Sequence, residues 1–375
     1  MKVVHVFKTY YPDTYGGMEE TIRQLCLQTS QHGVSNTVIT LSNRIKESET
    51  LERPECRLVR FPVSFDVAST PCSFSLMYAF RNLVADADLI HYHFPWPVSD
   101  LMHVFGRIRT PYIVTYQSDI VKQKVLKRFY SPLKHKFLAG AKLITVATPQ
   151  YMESSNVLSR HKELCRLMPL GLDAMSYPAI DENRLQHWKD RLGSGFFLFV
   201  GVLRYYKGLT YLIRAIAGTK FRIVIVGEGP LKDDLYTEAR RLDVQSQVIF
   251  TGFLSNDDKI CLYSLSAAFI FPSHLRSEAY GISLLEAAIF QSCLISCEIN
   301  TGTSHINKHG ETGFVVGPAN PDALRSAMEN VSSSPDRARE MGKAARKRFE
   351  TYFTAKQMGE TCLDLYREAL KKTES

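Results

Sequence analysis

The stretch Ser277-Glu278-Ala279-Tyr280-Gly281-Ile282-Ser283-Leu284-Leu285-Glu286-Ala287 holds two glutamates in the pattern Glu-x7-Glu, and its character changes halfway. Tyr280-Gly281 reads as a turn, and the apolar run from Ile282 to Phe290 reads as a helix. Glu278 is therefore expected in a loop, and Glu286 inside the helix, over a turn further on. The N–H groups of Gly281, Ile282 and Ser283 open that helix without intrahelical partners, so its start attracts phosphate. Carboxylates on either side accept hydrogen bonds from hydroxyls. The combination suits a sugar–diphosphate–nucleoside, with Glu278 on the sugar, the amides on the phosphates and Glu286 on the ribose. Two ordinary helix-surface glutamates are the alternative that the spacing alone leaves open.

Outward from this stretch the chain repeats one unit: apolar strand, turn, amphipathic helix. The alternation begins at the first residues, Met1-Lys2-Val3-Val4-His5-Val6-Phe7, which read as a buried strand and not as a signal peptide. It restarts after Tyr177-Pro178. Alternation of this kind implies parallel sheets with right-handed crossovers, hence an α/β fold of two Rossmann-like domains. At 375 residues, two cores are also what chain length suggests. The expected domains are 1–175 and 176–352, linked through Pro169–Pro178. A long helix over Ala345–Leu370 is expected, with the tail from about 353 to 375 packing back on the first domain. Ligands of open α/β sheets bind at the carboxyl ends of the strands, which places the loops there at a cleft between the domains.

Those loops hold most of the other candidates. The first strand runs through Lys8–Tyr15 into Gly16-Gly17, where the backbone can approach a bulky anion at a helix start; a plain turn is the alternative. The absence of a GxGxxG pattern argues against a nicotinamide cofactor. Phe199-Val200-Gly201-Val202-Leu203-Arg204-Tyr205-Tyr206-Lys207-Gly208 reads as strand, cationic loop and helix. Arg204 and Lys207 are candidates to hold a diphosphate, or are two exposed loop cations. Gly227 and Gly229, in the next strand-to-helix turn, permit tight packing or the close approach of a nucleotide, which makes Gly227 a donor-binding candidate, though a mainly structural role is favoured. His91 and His93 are expected on opposite faces of one strand end, one buried and His93 facing the cleft.

Net charge is +8, and residues 122–142 carry seven Lys and Arg with no acidic residue, interleaved with Val125, Leu126, Phe129, Tyr130, Leu133, Phe137 and Leu138. That basic amphipathic pattern suits an anionic membrane surface, a phosphate-bearing acceptor, or a solvated helix packed on a sheet. No nucleic-acid motif accompanies it, and nucleic acid is not an expected partner. The eight scattered cysteines form no CxxC pair and suit a reducing cytosol. No apolar run is long enough to cross a bilayer. A cytoplasmic protein is expected, peripheral at most on the inner membrane.

Taken together, Gly16-Gly17-Met18-Glu19, His93, the Tyr116–Asp119 loop, Gly201–Gly208, Gly227-x-Gly229-Pro230, Glu278-x7-Glu286 and Thr312-Gly313 resemble glycosyltransferase family 4, retaining enzymes of the GT-B fold. His93-Phe-Pro-Trp-Pro97, Ser118-Asp119-Ile120 and Cys297–Ser304 further resemble bacterial mannosyl- and rhamnosyltransferases of O-antigen and other surface polysaccharides. The resemblance implies hexose transfer from a GDP-linked donor such as GDP-mannose to a polyprenyl-linked or oligosaccharide acceptor. It implies no cofactor beyond the nucleotide-sugar co-substrate and no metal. By position it puts Gly16 and Gly17 over the donor phosphate and sugar, Lys207 on phosphate, Glu278 on the sugar and Glu286 on the ribose. Ile282, Ser283 and Leu284 match positions whose amides approach the donor. Asp86-Ala-Asp88 resembles the metal-binding DxD of another glycosyltransferase class, but it precedes its strand and reads as a turn. Two departures stand out. Gln117 replaces a histidine common near the reacting centre, and Val202 replaces an arginine. Glutamine cannot titrate, which leaves Asp119 or His93 to compensate. A sugar-nucleotide epimerase, a glucan synthase or a non-catalytic sugar-nucleotide-binding partner are the alternative readings.

Overall fold

The computed structural model describes residues 1–14, 16–67, 70–119 and 124–374. The chain forms two compact units, Met1–Gly171 with Ala355–Ser375, and Leu172–Thr354.

The first unit contains β1 (Lys2–Val6), β2 (Ser35–Ser42), β3 (Glu49–Glu52), β4 (Arg57–Pro62), β5 (Phe65–Val67), β6 (Thr70–Cys72), β7 (Leu89–Phe94), β8 (Tyr112–Tyr116), β9 (Leu143–Val146) and β10 (Cys165–Leu167). Eight of them form one sheet in the order β10-β9-β8-β7-β1-β2-β4-β3, parallel except where β3 runs against β4. β5 and β6 make a separate hairpin. The strand order turns at β1, which has β2 on one side and β7 on the other. A crevice opens at such a reversal because the flanking connections leave on opposite faces of the sheet.

The second unit contains β11 (Phe196–Val200), β12 (Ile223–Val226), β13 (Val248–Gly252), β14 (Ser266–Phe271), β15 (Leu294–Cys297) and β16 (Gly313–Val316). All pair in parallel, in the order β13-β12-β11-β14-β15-β16. Here the reversal lies between β11 and β14. Its core packs Phe197, Phe199, Ile223, Ile225, Ile270 and Ile295 against Leu212, Ile213, Leu324 and Met328 of the covering helices.

β3, β5, β6 and β16 had no sequence signal of their own. β3 and β5 are largely exposed and β16 only half-buried, so their side chains lack the apolar alternation that marks a strand. The long tail helix is in fact two, Pro335–Tyr352 and Ala355–Glu374. The break comes where Leu172 N–H donates to the Phe353 carbonyl (3.0 Å) and Leu172 pairs with Thr354. A carbonyl turned toward Leu172 cannot continue the helical ladder. Ala355–Glu374 belongs to the first unit and lies against helix Gly17–Ser30.

The two histidines of β7 correct the sequence expectation. Side chains alternate along a strand, so positions two apart share a face, and His91 and His93 lie on the same one. Both are buried, with ring centroids 4.4 Å apart. Parallel register places His5 of β1 directly beside His91. Tyr366, from helix Ala355–Glu374, closes over this face with its hydroxyl 2.8 Å from His91 Nδ1. Tyr366→Phe should therefore lower unfolding stability by about 1–3 kcal/mol, the cost of stranding a buried polar atom. Urea denaturation checks it; an unchanged midpoint would show that this hydrogen bond does not anchor the helix.

Candidate active site

Lys207 and Glu278 meet at the strand reversal of the second unit. The loop after β11 carries Lys207 and the loop after β14 carries Glu278, and Lys207 Nζ lies 2.5 Å from Glu278 Oε2. Gly208 makes the approach possible. It sits at φ +69°, and a Cβ there would fall 2.0 Å from the Pro272 carbonyl oxygen. Only glycine gives both the left-handed backbone and the close passage of the two loops. The loops are further joined by His274 N–H donating to the Tyr206 carbonyl (3.0 Å), and Leu203 N–H donates to the Glu228 carbonyl (3.0 Å).

Neither member of the pair is free in water. Lys207 is 9% exposed, and its ammonium lies 4.5 Å from the centre of the Phe271 ring. Glu278 also accepts from Ser273 Oγ at 3.2 Å. Burial, with the Glu278 charge next in size, pushes the Tyr206 phenol up to about 12. Arg204 and Val202, on the same loop, are exposed. Gly227 N–H donates to the Gly252 carbonyl, which ties the turn after β12 to the end of β13.

Helix Ile282–Ile289 starts from Gly281 in the left-handed region (φ +98°), with no side-chain cap. Leu284 N–H turns back to the Gly281 carbonyl (2.9 Å). The amides of Ile282 and Ser283 belong to the first turn, which has no intrahelical acceptor, and they follow directly on the Glu278 loop. Glu286 is one turn further on. It accepts from Tyr177 (2.9 Å) and Tyr263 (3.3 Å) and pairs with Lys259 at 3.3 Å. Tyr177, Lys259 and Tyr263 escaped the sequence reading. Tyr177 lies in the loop before helix Glu182–Leu192, Lys259 and Tyr263 lie one turn apart on helix Asn256–Leu265, and no local pattern links them to Glu286.

The first unit holds the remaining candidates. Gly16 caps helix Gly17–Ser30 with extended backbone. The Glu19 carboxylate folds back over it, 2.6 Å from where a Gly16 Cβ would project, and takes a hydrogen bond from Thr14 Oγ1 (2.6 Å). Glu19 was expected only as part of the Gly-Gly motif. Gln117 N–H donates to the Phe94 carbonyl (3.2 Å), and its Nε2 is buried without a partner among the described residues. Asp119 accepts from Tyr116 (2.8 Å) and Ser155 (2.9 Å), while its N–H donates to the Tyr151 hydroxyl (2.6 Å). Its carboxylate thus braces the loop after β8.

His93 Nε2 is 3.1 Å from His5 Nδ1, and His5 Nε2 is 3.3 Å from Asn36 Oδ1. His5 and Asn36 were not among the candidates, because parallel register, and not spacing along the chain, brings them here. Burial holds the His93 imidazole well below its usual range, with His5 adding to the effect, and burial takes His5 down to about 4 against a smaller opposing effect of Asn36. The nitrogens of His5, His91 and His93 lie within 4.8 Å of one another, as metal ligands do. In this arrangement, however, both nitrogens of His5 and both of His91 are engaged in hydrogen bonds, His91 with Tyr366 and Thr115.

Residues 16–171 match the family model described as Glycosyl transferase 4-like domain, and residues 182–348 the one described as Glycosyl transferases group 1. D-rhamnosyltransferase WbpZ of Pseudomonas aeruginosa is 46% identical over 95% of this chain and 93% of its own. O-antigen chain mannosyltransferase C of Escherichia coli is 42% identical over 99% of both chains. Among solved structures, sucrose-phosphate synthase from Thermosynechococcus elongatus superposes with a TM-score of 0.83 at 18% identity, covering 99% of each chain. That last likeness is one of fold.

The Lys207–Glu278 pair yields a prediction that needs no substrate. Lys207→Met strands a nearly buried carboxylate and should cost about 2 kcal/mol. Adding Glu278→Leu should recover most of it. A double-mutant cycle in urea measures the coupling, and strictly additive losses would show that the two side chains do not depend on each other.

Proposed function

Because the chain belongs to the glycosyltransferases of these two family models and has the GT-B fold, we propose that it moves mannose or a related hexose from a GDP-linked donor to a lipid-linked or polysaccharide acceptor in O-antigen synthesis, with retention at the anomeric carbon. The sugar is argued from its relatives, one named for D-rhamnose and the other for mannose. D-rhamnose is mannose without the 6-hydroxyl, so the two sugars present the same ring stereochemistry.

The observation that carries the chemistry is the Lys207–Glu278 pair at the strand reversal, beside the opening of helix Ile282–Ile289. The slow step breaks the bond between the anomeric carbon and the diphosphate oxygen, through an oxocarbenium-like state. Negative charge grows on the departing phosphate. Lys207, Arg204 and the amides of Ile282 and Ser283 neutralise it without a metal ion; the Leu284 amide, also expected there, is engaged with the Gly281 carbonyl. Lys207 is already oriented by Glu278 and Phe271, so little reorganisation is needed as that charge appears. Glu278 accepts a hydrogen bond from a sugar hydroxyl, and Glu286 from the ribose. The acceptor oxygen bonds to the anomeric carbon on the face the phosphate leaves, and its proton passes to a departing phosphate oxygen. Gly16 and Gly17 approach the donor, and His93, Gln117 and Asp119 lie near the reacting centre.

Contact with an anionic membrane surface is part of the same reading. Of the basic stretch 122–142, Lys122 and the side chains of Lys124, Lys127 and Arg128 lie outside the described residues. Arg107, Arg109, Lys136 and Lys142 line a crevice of about 320 Å³ with no acidic residue in its wall, which favours phosphate headgroups. Among the described residues, no helix is long and apolar enough to cross a membrane.

The test is turnover of GDP-, UDP- and dTDP-sugars with lipid extract as the acceptor source. GDP-mannose or GDP-rhamnose should release GDP and label lipid. Lys207→Ala should lower kcat/KM by about 10²-fold or more, and Glu278→Gln should cost activity far more than folding. Failure of every GDP-sugar would remove the donor assignment. An inverted anomeric centre in the product, read by NMR, would remove retention.

A further inference from the structure

The hydrogen-bond partners around His93 determine which of its nitrogens carries the proton. Backbone carbonyls only accept hydrogen bonds. Thr29 Oγ1 donates to the Leu25 carbonyl at 2.7 Å, so it accepts from Asn36 Nδ2 at 3.0 Å; the same Nδ2 donates to the Cys26 carbonyl at 3.1 Å. This fixes the Asn36 amide with Oδ1 toward His5. His5 Nε2 must then bear the hydrogen, and in the neutral ring Nδ1 is a bare lone pair. His93 Nε2 faces that lone pair at 3.1 Å and must donate. The two rings are 15° from coplanar with centroids 5.4 Å apart, as for imidazoles meeting edge to edge in one in-line hydrogen bond. What remains is His93 Nδ1, unprotonated and buried, with no partner among the described residues.

We infer that Asn36 and His5 are positioning residues that present His93 Nδ1 as a bare acceptor for an O–H group, supplied by a donor-sugar hydroxyl or by a bound water. All three side chains are more than nine-tenths buried. A buried lone pair without a donor costs free energy, so the site is selective for a hydrogen-bond donor and disfavours another acceptor. His93 lies at the carboxyl end of β7, beside the strand reversal at β1, where open parallel sheets take their ligands. The sugar source rests on the transferase reading; the tautomer does not.

Nitrogen-15 NMR of histidine-labelled full-length protein tests the assignment. His93 should show a protonated Nε2 and a bare Nδ1, and His5 a protonated Nε2. A protonated Nδ1 on His93 overturns the inference whether or not the protein transfers sugar. Titration with GDP-mannose separates the sources. Movement of the Nδ1 resonance identifies the sugar hydroxyl, and a hydrogen-bonded resonance unmoved by ligand identifies water; either supports a bare acceptor. His5→Leu should invert or mix the His93 tautomers and lower kcat about tenfold with little change in KM. His5→Asn, whose Oδ1 can replace the lost Nδ1, should restore both. Equal kcat and an unchanged tautomer in His5→Leu would overturn the positioning role, and if that variant does not fold, the wild-type spectrum still decides.

Discussion

A lysine ammonium and a glutamate carboxylate taken largely out of water are expensive to hold, and their mutual attraction offsets the cost only when geometry and further hydrogen bonds are good. Lys207 and Glu278 meet that condition through contacts neither loop makes alone: the aromatic face of Phe271, the hydroxyl of Ser273, and the passage of Gly208 under the Pro272 carbonyl. The pair constrains the two loops that leave the sheet at the β11/β14 reversal. A charge fixed in this way is of little use for stability, where an apolar pair would serve as well. It is useful where charge develops during a reaction, because a preoriented cation need not reorganise.

The same topological device occurs twice, once in each unit, and is used differently. At the β11/β14 reversal it presents charge. At the β1/β7 reversal it presents neutral imidazoles, layered on one face and covered by Tyr366. The difference follows from what surrounds each site. The Lys207 and Glu278 side chains keep about a tenth of their surface in solvent at the first, whereas Tyr366 of helix Ala355–Glu374 covers His91 at the second, where burial keeps the histidines neutral.

The alternation of strand and helix made the two Rossmann-like cores legible, because parallel strands buried on both faces read as continuous apolar runs. Glu278-x7-Glu286 was legible for a related reason: turn and helix signals abut there, and they fix which glutamate is in which element. The register between strands was not legible. Which residue of β1 lies beside His91 depends on how the sheet pairs, and no local pattern in either strand records it. His5 and Asn36 were therefore missed, and the misjudged faces of His91 and His93 came from counting alternation one residue out. Tyr177, Lys259 and Tyr263 around Glu286 were hidden for the same reason, since Tyr177 arrives from a loop and the other two from helix Asn256–Leu265, both distant in sequence from Glu286's own helix.

Each carboxylate expected to meet a ligand already has partners within the protein. Glu278 holds Lys207, and Glu286 is held by two tyrosines and a lysine. A donor sugar arriving at these groups exchanges hydrogen bonds and creates few new ones, so the net gain per contact is small. Discrimination must then come from geometry, since a hydroxyl that cannot reproduce the displaced bond leaves a buried carboxylate short of a partner. On this view the pre-existing pairs set the standard that a correct sugar meets and a wrong epimer fails. They also keep the charged groups satisfied while no donor is bound, which allows Lys207 to remain 9% exposed in the resting protein.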